Sequence, residues 1–122
     1  MASRPEELRD RTKKFAINIV RLIRTLPRTE ESRVIGRQLL RCGTSVAANY
    51  RAVCRARSRA EFISKIGIVV EESDETVFWL ELMEELDIMS KDSLIDLKRE
   101  ANELVSIFAA SQRTLRQSAT RS

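Results

Sequence analysis

The sequence contains no histidine, which removes much of the chemistry that a small enzyme would use. Histidine is the most common general base, a frequent zinc ligand and the partner of carboxylates in the di-iron sites of helical bundles. Serine and cysteine triads also depend on a histidine beside the nucleophile. The sequence therefore predicts a protein that is not an enzyme and that binds no metal or other cofactor.

Glycine, proline and aromatic residues are also scarce, with three glycines, two prolines and 5% aromatics in 122 residues. Such a chain has few residues for the tight turns of a sheet, and its composition favours long helices. The three glycines are isolated within helical patterns, where close helix packing explains them better than a phosphate-binding loop. We expect one all-α domain whose core needs no disulfide or metal.

Cysteines are few and long hydrophobic runs are absent, which bears on the cellular compartment. Cys42 and Cys54 fall on one predicted helix, about 18 Å apart at 1.5 Å per residue, which is beyond disulfide reach. We expect both to be buried thiols in a reducing compartment. No apolar run approaches the ~20 residues of a membrane span, and no signal-peptide core follows Met1. The sequence predicts a soluble cytoplasmic protein with no membrane partner.

Apolar residues repeat at intervals of three and four along most of the chain, the spacing that lines one face of a helix. The pattern predicts helices at about 6–26, 30–57, 59–87 and 91–117, with a frayed tail at 118–122. Pro27 ends the first helix, and Thr29, Ser58 and Ser90 are suitable N-caps for the others. Because the loops are short, we expect an antiparallel up-down-up-down four-helix bundle that forms a single domain over residues 1–122.

The net charge of +4 conceals a strong asymmetry between the two halves of the chain. Residues 1–60 carry 15 Lys and Arg against 5 Asp and Glu, a balance of +10, whereas residues 61–122 carry 7 against 13, a balance of −6. Five arginines of the second helix fall within an arc of about 80°, opposite its apolar face. They are Arg33, Arg37, Arg41, Arg51 and Arg55.

This arginine stripe has two main interpretations. Neighbouring arginines repel one another, and the phosphates of RNA or DNA would relieve that repulsion. Basic residues outside the stripe extend the candidate surface, namely Lys13, Lys14, Arg21, Arg24, Arg57 and Arg59. The alternative is a solvated or salt-bridged face on a structural or protein-interaction scaffold that has no nucleic-acid partner.

A third and weaker interpretation is a metal-dependent enzyme that uses the carboxylates between residues 71 and 87. Those carboxylates spread around most of the circumference of their helix, so several helices would have to contribute ligands to one ion. A solvated acidic face explains them better.

The third predicted helix is apolar nearly all round its later half. Phe78 and Leu82 project roughly 160° away from the core-facing stripe, and a lone bundle cannot bury both sides. We therefore predict a homo-oligomer, the alternative being a wider core that reaches these residues. The predicted interface consists of Ile17, Val20, Phe78, Trp79 and Leu82.

Several short segments carry a resemblance that covers about residues 11–115. They are Lys14-Phe15-Ala16, Leu26-Pro27, Gln38-Leu39-Leu40-Arg41 with Thr44-Ser45-Val46-Ala47-Ala48-Asn49, Arg57-Ser58-Arg59-Ala60-Glu61-Phe62, and Glu71-Glu72-Ser73-Asp74-Glu75. In order and spacing they resemble the bacterial four-helix bundle proteins, also called S23 or ribosomal RNA intervening-sequence proteins. Members are often encoded within insertions in large-subunit ribosomal RNA genes.

The resemblance implies a ring-like homopentamer and supplies no catalytic residues. In a related branch, the accessory subunit of diversity-generating retroelements, a basic surface engages reverse transcriptase and nucleic acid. After Asn49 this sequence departs from many members, because residues 50–55 replace a small acidic segment and make the second helix more basic. Our leading hypothesis is a non-enzymatic homo-oligomer that binds RNA or DNA backbone as an accessory factor in an RNA or retroelement process.

Overall fold

Four helices account for most of the chain in this computed structural model, which describes residues 4–121 and the side chains of residues 4–118. They are α1 (Pro5–Ile23), α2 (Glu30–Cys54), α3 (Arg59–Glu85) and α4 (Lys91–Arg121), and the described residues contain no strand. Each helix packs on the next, while α1 and α4 meet along a smaller contact. The short loops make consecutive helices antiparallel, and the all-α prediction is confirmed.

The starts of the helices follow the predicted caps. The Thr29 hydroxyl accepts from the Ser32 amide at 3.2 Å at the start of α2. The Ser58 hydroxyl accepts from the Glu61 amide at 3.1 Å at the start of α3. Ser90 accepts in the same way from the Ser93 amide, at 3.2 Å, before α4. Each cap satisfies an amide that has no partner within its own helix.

Two helices end earlier than their apolar stripes suggest. α1 stops at Ile23 and not at Leu26, because the residue before a proline is disfavoured in the helical conformation and Leu26 precedes Pro27. α2 stops at Cys54 and not near residue 57. Ser58 must be extended to cap α3, with φ −151° and ψ 162°, so residues 55–57 are needed to reverse the chain.

The last two helices end differently from one another. At the end of α3, Asp87 adopts a left-handed conformation with φ 55°, and the Ile88 amide donates to the Met83 carbonyl at 3.0 Å. This pairing is typical of a Schellman turn. α4 has no glycine or proline to stop it and continues to Arg121, beyond the predicted end near residue 117. Ser122, the last residue of the predicted frayed tail, lies outside the described residues.

The core is built from the apolar stripes of all four helices. The Tyr50 and Phe108 rings pack with their centroids 5.2 Å apart. Gly43 lets α1 approach α2 closely, since a Cβ at this position would lie 3.0 Å from Cγ1 of Ile19. The largest fully buried side chains include Ile19, Leu39, Val46, Ile66, Leu80, Leu94, Leu104 and Phe108. No helix in the described part of the chain is long and apolar enough to cross a membrane.

The two cysteines occupy different environments. Cys42 is fully buried, as predicted, whereas Cys54 is exposed, so the prediction that both thiols are buried is wrong. Val53 takes the core position in the last turn of α2, and the next residue is rotated by about 100° away from it. Cys54 consequently lies at the surface, in the groove between α1 and α2.

Candidate nucleic-acid interface

All five predicted arginines are exposed on the side of α2 that faces away from the core. Their neighbours divide them into three environments. Arg33 and Arg37 lie beside the α1–α2 loop, Arg41 faces α3, and Arg51 and Arg55 lie beside the first turns of α1. The five arginines therefore share one side of α2, but the residues around them differ along the helix.

Arg41 is the member of the stripe that is bound to another helix. Its Nη1 lies 3.2 Å from the Glu72 carboxylate, and its Nη2 pairs with the Glu75 carboxylate. Its Nε donates to the Gln38 side chain at 3.3 Å. Arg41 thus ties α2 to α3, which is the pairing that the scaffold interpretation expects.

Arg51 and Arg55 belong to a groove with a volume of about 410 Å³ between α1 and α2. Arg9 and Lys13 of α1 complete this cluster, which we call the basic groove. Asp10 is the one carboxylate among the lining residues. In the described part of the chain, none of the four cations forms an ion pair. Their charge is therefore available to an external anion.

The other end of the stripe forms a second cluster at the α1–α2 loop, made of Arg28, Arg33 and Arg37, which we call the loop cluster. Arg33 places Nη2 2.6 Å from both carboxylate oxygens of Glu30, and this pair is exposed. Arg28 and Arg37 have no ion pair within the described residues. The cluster borders an open apolar groove of about 600 Å³ whose lining includes Leu26.

Other cations are engaged between helices elsewhere in the bundle. Arg11 of α1 binds Glu100 of α4, with Nε 3.1 Å from the carboxylate, and lies 3.4 Å from Glu103. Lys98 of α4 pairs with Glu84 of α3, and its hydrogen bond lowers the pKa of the Glu84 carboxyl. The Arg11 pairs join the basic and acidic halves of the chain, whereas the Lys98–Glu84 pair lies within the acidic half. Both contrast with the cations of the basic groove, which form no ion pair within the described residues.

Comparisons with known proteins identify the family. A family model described as 23S rRNA-intervening sequence protein matches residues 6–110. The chain belongs to this family. It also resembles the crystal structure of a protein of unknown function from the S23 ribosomal protein family of Bacteroides thetaiotaomicron, with 30% identity and a TM-score of 0.82. That match covers 89% of this chain and 97% of the other. A comparison with curated proteins finds no match.

In this intervening-sequence family member, sequence reasoning found only part of the basic groove. Lys13 was included as an extension of the arginine stripe, but Arg9 was missed. Arg9 and Lys13 are four residues apart, so they share one face of α1. Their position beside Arg51 depends on the pairing of α1 with α2, which no local pattern shows.

The two thiols of this family member differ in their accessibility to solvent. Cys54 lines the basic groove and is exposed. Burial raises the pKa of the Cys42 thiol, which keeps it neutral as well as inaccessible. Burial also raises the pKa of the Tyr50 hydroxyl, with the neighbouring Cys54 as a further cause. The rate at which a thiol reagent labels Cys54 therefore measures the accessibility of the groove. Buried Cys42 is the internal control, because it is accessible only after unfolding.

The predicted oligomer interface is distributed over two faces of the bundle. Ile17 of α1 is 42% exposed and Phe78 of α3 is 53% exposed, whereas Val20, Trp79 and Leu82 are half-buried. Among the described residues α1 and α3 do not pack on each other, so these side chains do not form one patch. The interface itself stays a prediction.

The α3 part of this interface is larger than its sequence pattern indicated. Ile68 of α3, 38% exposed, and Leu86, 50% exposed and directly after α3, extend the exposed apolar surface. The Phe78 ring meets the Trp79 ring edge-on at 4.9 Å. The Trp79 indole Nε1 donates to Glu75 at 3.0 Å, so the carboxylate that binds Arg41 also orients this tryptophan.

The acidic residues of α3 do not converge on one point. Within residues 4–118, no group of three or more His, Cys, Asp and Glu side chains is placed so that it could hold a metal ion. Three of the α3 carboxylates instead pair with cations of neighbouring helices, namely Glu72, Glu75 and Glu84.

Proposed function

We propose that this family member binds the backbone of RNA or DNA through the basic groove and catalyses no reaction. The observation that carries the proposal is the accumulation around one groove of four cations that form no ion pair within the described residues, with Asp10 as the one carboxylate among the described lining residues. Phosphate oxygens are strong acceptors for guanidinium and ammonium groups. Contacts to phosphates give affinity without reading the base sequence.

Two further features support a polyanionic partner. The family carries 23S rRNA in its description, which makes RNA the first nucleic acid to test. The net charge of +4 and the concentration of positive charge on one half of the chain favour the approach of any nucleic acid.

The test is a titration of a labelled RNA pool with the purified protein, followed by fluorescence anisotropy at several salt concentrations. If the four groove cations neutralise four phosphates, log K should fall with log salt with a slope between about −3 and −4. We expect Arg51→Glu with Arg55→Glu to reduce affinity by about tenfold or more. The matched control, Arg99→Glu with Arg113→Glu on α4, makes the same charge change and should bind within about twofold of the wild type.

Thiol labelling gives a second readout of the same contact. A thiol reagent should modify Cys54 in the native protein and leave Cys42 unmodified until the chain unfolds. Saturating RNA should slow the labelling of Cys54 because the groove is covered. An unchanged labelling rate under saturating RNA, or equal RNA affinity for the groove variant and its control, would contradict the proposal.

The proposal also includes self-association, a cytoplasmic location and an accessory role with a reverse transcriptase, which the family resemblance implied. The exposed apolar side chains of α3 support self-association. The alternative function is a protein-interaction scaffold without nucleic acid, and the Arg41 contacts to Glu72 and Glu75 support it. A pull-down with a reverse transcriptase, with and without nuclease treatment, separates a direct protein partner from one bridged by nucleic acid.

A further inference from the structure

We infer that the basic groove and the loop cluster are two contact points for a single nucleic-acid duplex that lies along α2. This inference rests on the proposed function. It adds that the ligand is double-stranded and that it has a minimum length. The observations behind it are the spacing of the arginines along α2, the position of Arg41 between the clusters, and the cations that α1 and the loop add at each end.

The spacing follows from helix geometry. Arg33 and Arg51 are eighteen residues apart, and so are Arg37 and Arg55. Eighteen residues are five turns of an α-helix, which returns each pair to the same side of α2 with a separation of about 27 Å. The side chains of the two pairs therefore leave the same side of α2 at two separated points of one rigid element.

The middle of this surface is electrically different from its ends. Arg41 lies between the two pairs, and Glu72 and Glu75 of α3 neutralise it. At one end Arg9 and Lys13 of α1 add to the positive charge, and at the other end Arg28 of the loop does so. At the loop end Glu30 pairs with Arg33, so Arg28 and Arg37 carry the charge that is unpaired within the described residues. The positive charge is thus concentrated at two separated points and not spread as a uniform stripe.

A duplex suits two rigid points better than a single strand does. A duplex behaves as a rod with a persistence length of about 50 nm, so its phosphates keep their spacing without an ordering cost. Each strand of B-form DNA carries one phosphate per ~3.4 Å, so about 27 Å corresponds to about 8 base pairs, and to slightly more in A-form RNA. Once one cluster is bound, the second contact becomes intramolecular, and its effective concentration raises the overall affinity.

The experiment measures the affinity of the full-length protein for RNA hairpins of 5 and 12 base pairs closed by the same loop. A base pair adds ~3.4 Å in B-form DNA and somewhat less in A-form RNA, so the shorter stem spans at most about 17 Å and contacts one cluster, whereas the longer one spans more than about 30 Å and reaches both. We expect the wild type to bind the longer stem at least about tenfold more tightly. A 12-nucleotide single strand should bind more weakly than the longer stem.

Two variants with equal charge change identify the contact points. Arg28→Glu with Arg37→Glu reverses two charges of the loop cluster, and Arg51→Glu with Arg55→Glu reverses two charges of the basic groove. In each variant the 12-base-pair stem should bind only a few-fold more tightly than the 5-base-pair stem. This small difference remains because a longer stem offers more positions at which one cluster can bind. The Arg99→Glu with Arg113→Glu control should keep the full gain, and circular dichroism should show all variants folded.

The outcomes separate this inference from the proposed function. If the wild type binds RNA at the basic groove but shows no gain with stem length, the two-point contact is wrong and the proposed function stands. The same conclusion follows if the loop-cluster variant keeps the gain, or if the single strand binds as tightly as the longer stem. If the groove variant binds both stems like the wild type, the proposed function and this inference fail together.

Discussion

At the scale of single residues, Asp87 carries an identifiable conformational cost. Among residues 4–121 it is the one non-glycine residue with positive φ, and it follows the C-terminus of α3. The left-handed conformation costs a residue with a Cβ about 1–2 kcal/mol, and a carboxylate at a helix C-terminus opposes the helix dipole. We expect Asp87→Gly to raise the free energy of unfolding by about 1 kcal/mol, measured by urea denaturation.

Asp87→Ala is the control for this substitution. It removes the carboxylate but keeps the Cβ, so it should stabilise the protein less than glycine does or destabilise it. Equal stabilisation by alanine and glycine would show that the charge of Asp87, and not its backbone conformation, is the dominant cost.

Individual residues also show where sequence reasoning is accurate. Thr29, Ser58 and Ser90 were predictable as caps because a cap depends only on residues within one turn. The exposure of Cys54 was not, because it depends on where α2 ends, and α2 ends early to leave chain for the Ser58 cap. Predictions at this scale succeed when the cause is local in sequence.

At the scale of helices, two glycines of α2 should respond differently to the same substitution. At Gly43 an added Cβ would lie 3.0 and 3.1 Å from Cγ1 and Cγ2 of Ile19, which is fully buried and cannot move aside. Overpacking of this kind costs about 1–3 kcal/mol and exceeds or cancels the ~1 kcal/mol that alanine gains in a helix. We expect Gly43→Ala to leave stability unchanged at best and to lower it by up to about 2 kcal/mol.

Gly36 is the matched control in the same helix. An added Cβ there would meet Cδ1 of Leu26 at 2.7 Å, but this atom is the free end of a half-buried side chain beside an open groove. Leu26 can rotate away, so Gly36→Ala should be neutral or stabilising by up to about 1 kcal/mol. Thermal unfolding of both variants measures the contrast, and a larger loss for Gly36→Ala than for Gly43→Ala would contradict the packing argument.

Helix positions were predictable from the apolar stripes, while contacts between helices were not. The stripe that contains Leu39 and Val46 identified the buried face of α2 because burial repeats with the helical period. The projection also placed Arg41 with its four neighbours. It could not show that Glu72 and Glu75 neutralise Arg41, since these residues are brought together only by the packing of α2 on α3. The candidate site was therefore predicted as one stripe, whereas the structure has two basic clusters.

At the scale of the whole molecule, the charge asymmetry leaves some cations in ion pairs between helices and others without one among the described residues. Arg11 and Arg41 of the basic half pair with carboxylates of the acidic half and join α1 to α4 and α2 to α3. The cations of the basic groove remain unpaired within residues 4–118. Ion pairs of the basic half thus join helices on some faces of the bundle, while the basic groove keeps the cations on which the proposed function rests.

Self-association is the prediction that belongs to this scale. Phe78 on α3 and Leu86 directly after α3 are each at least half exposed, and apolar surface of this kind marks interfaces between proteins. We expect light scattering to give a mass well above the 14.0 kDa of one chain. Phe78→Glu with Leu86→Glu should shift the mass toward the monomer, because a carboxylate buried in an apolar interface without a partner is strongly unfavourable.

Val34 of α2 provides the control for this prediction. Val34 is 49% exposed, comparable to Phe78, but lies outside the predicted interface. Val34→Glu should therefore leave the mass of the assembly unchanged, and circular dichroism should show both variants fully helical. Dissociation by Val34→Glu and not by the α3 variant would move the interface to α2, where it would compete with nucleic acid for the same surface. A wild-type mass of one chain would instead mean that the apolar face of α3 serves a different partner protein.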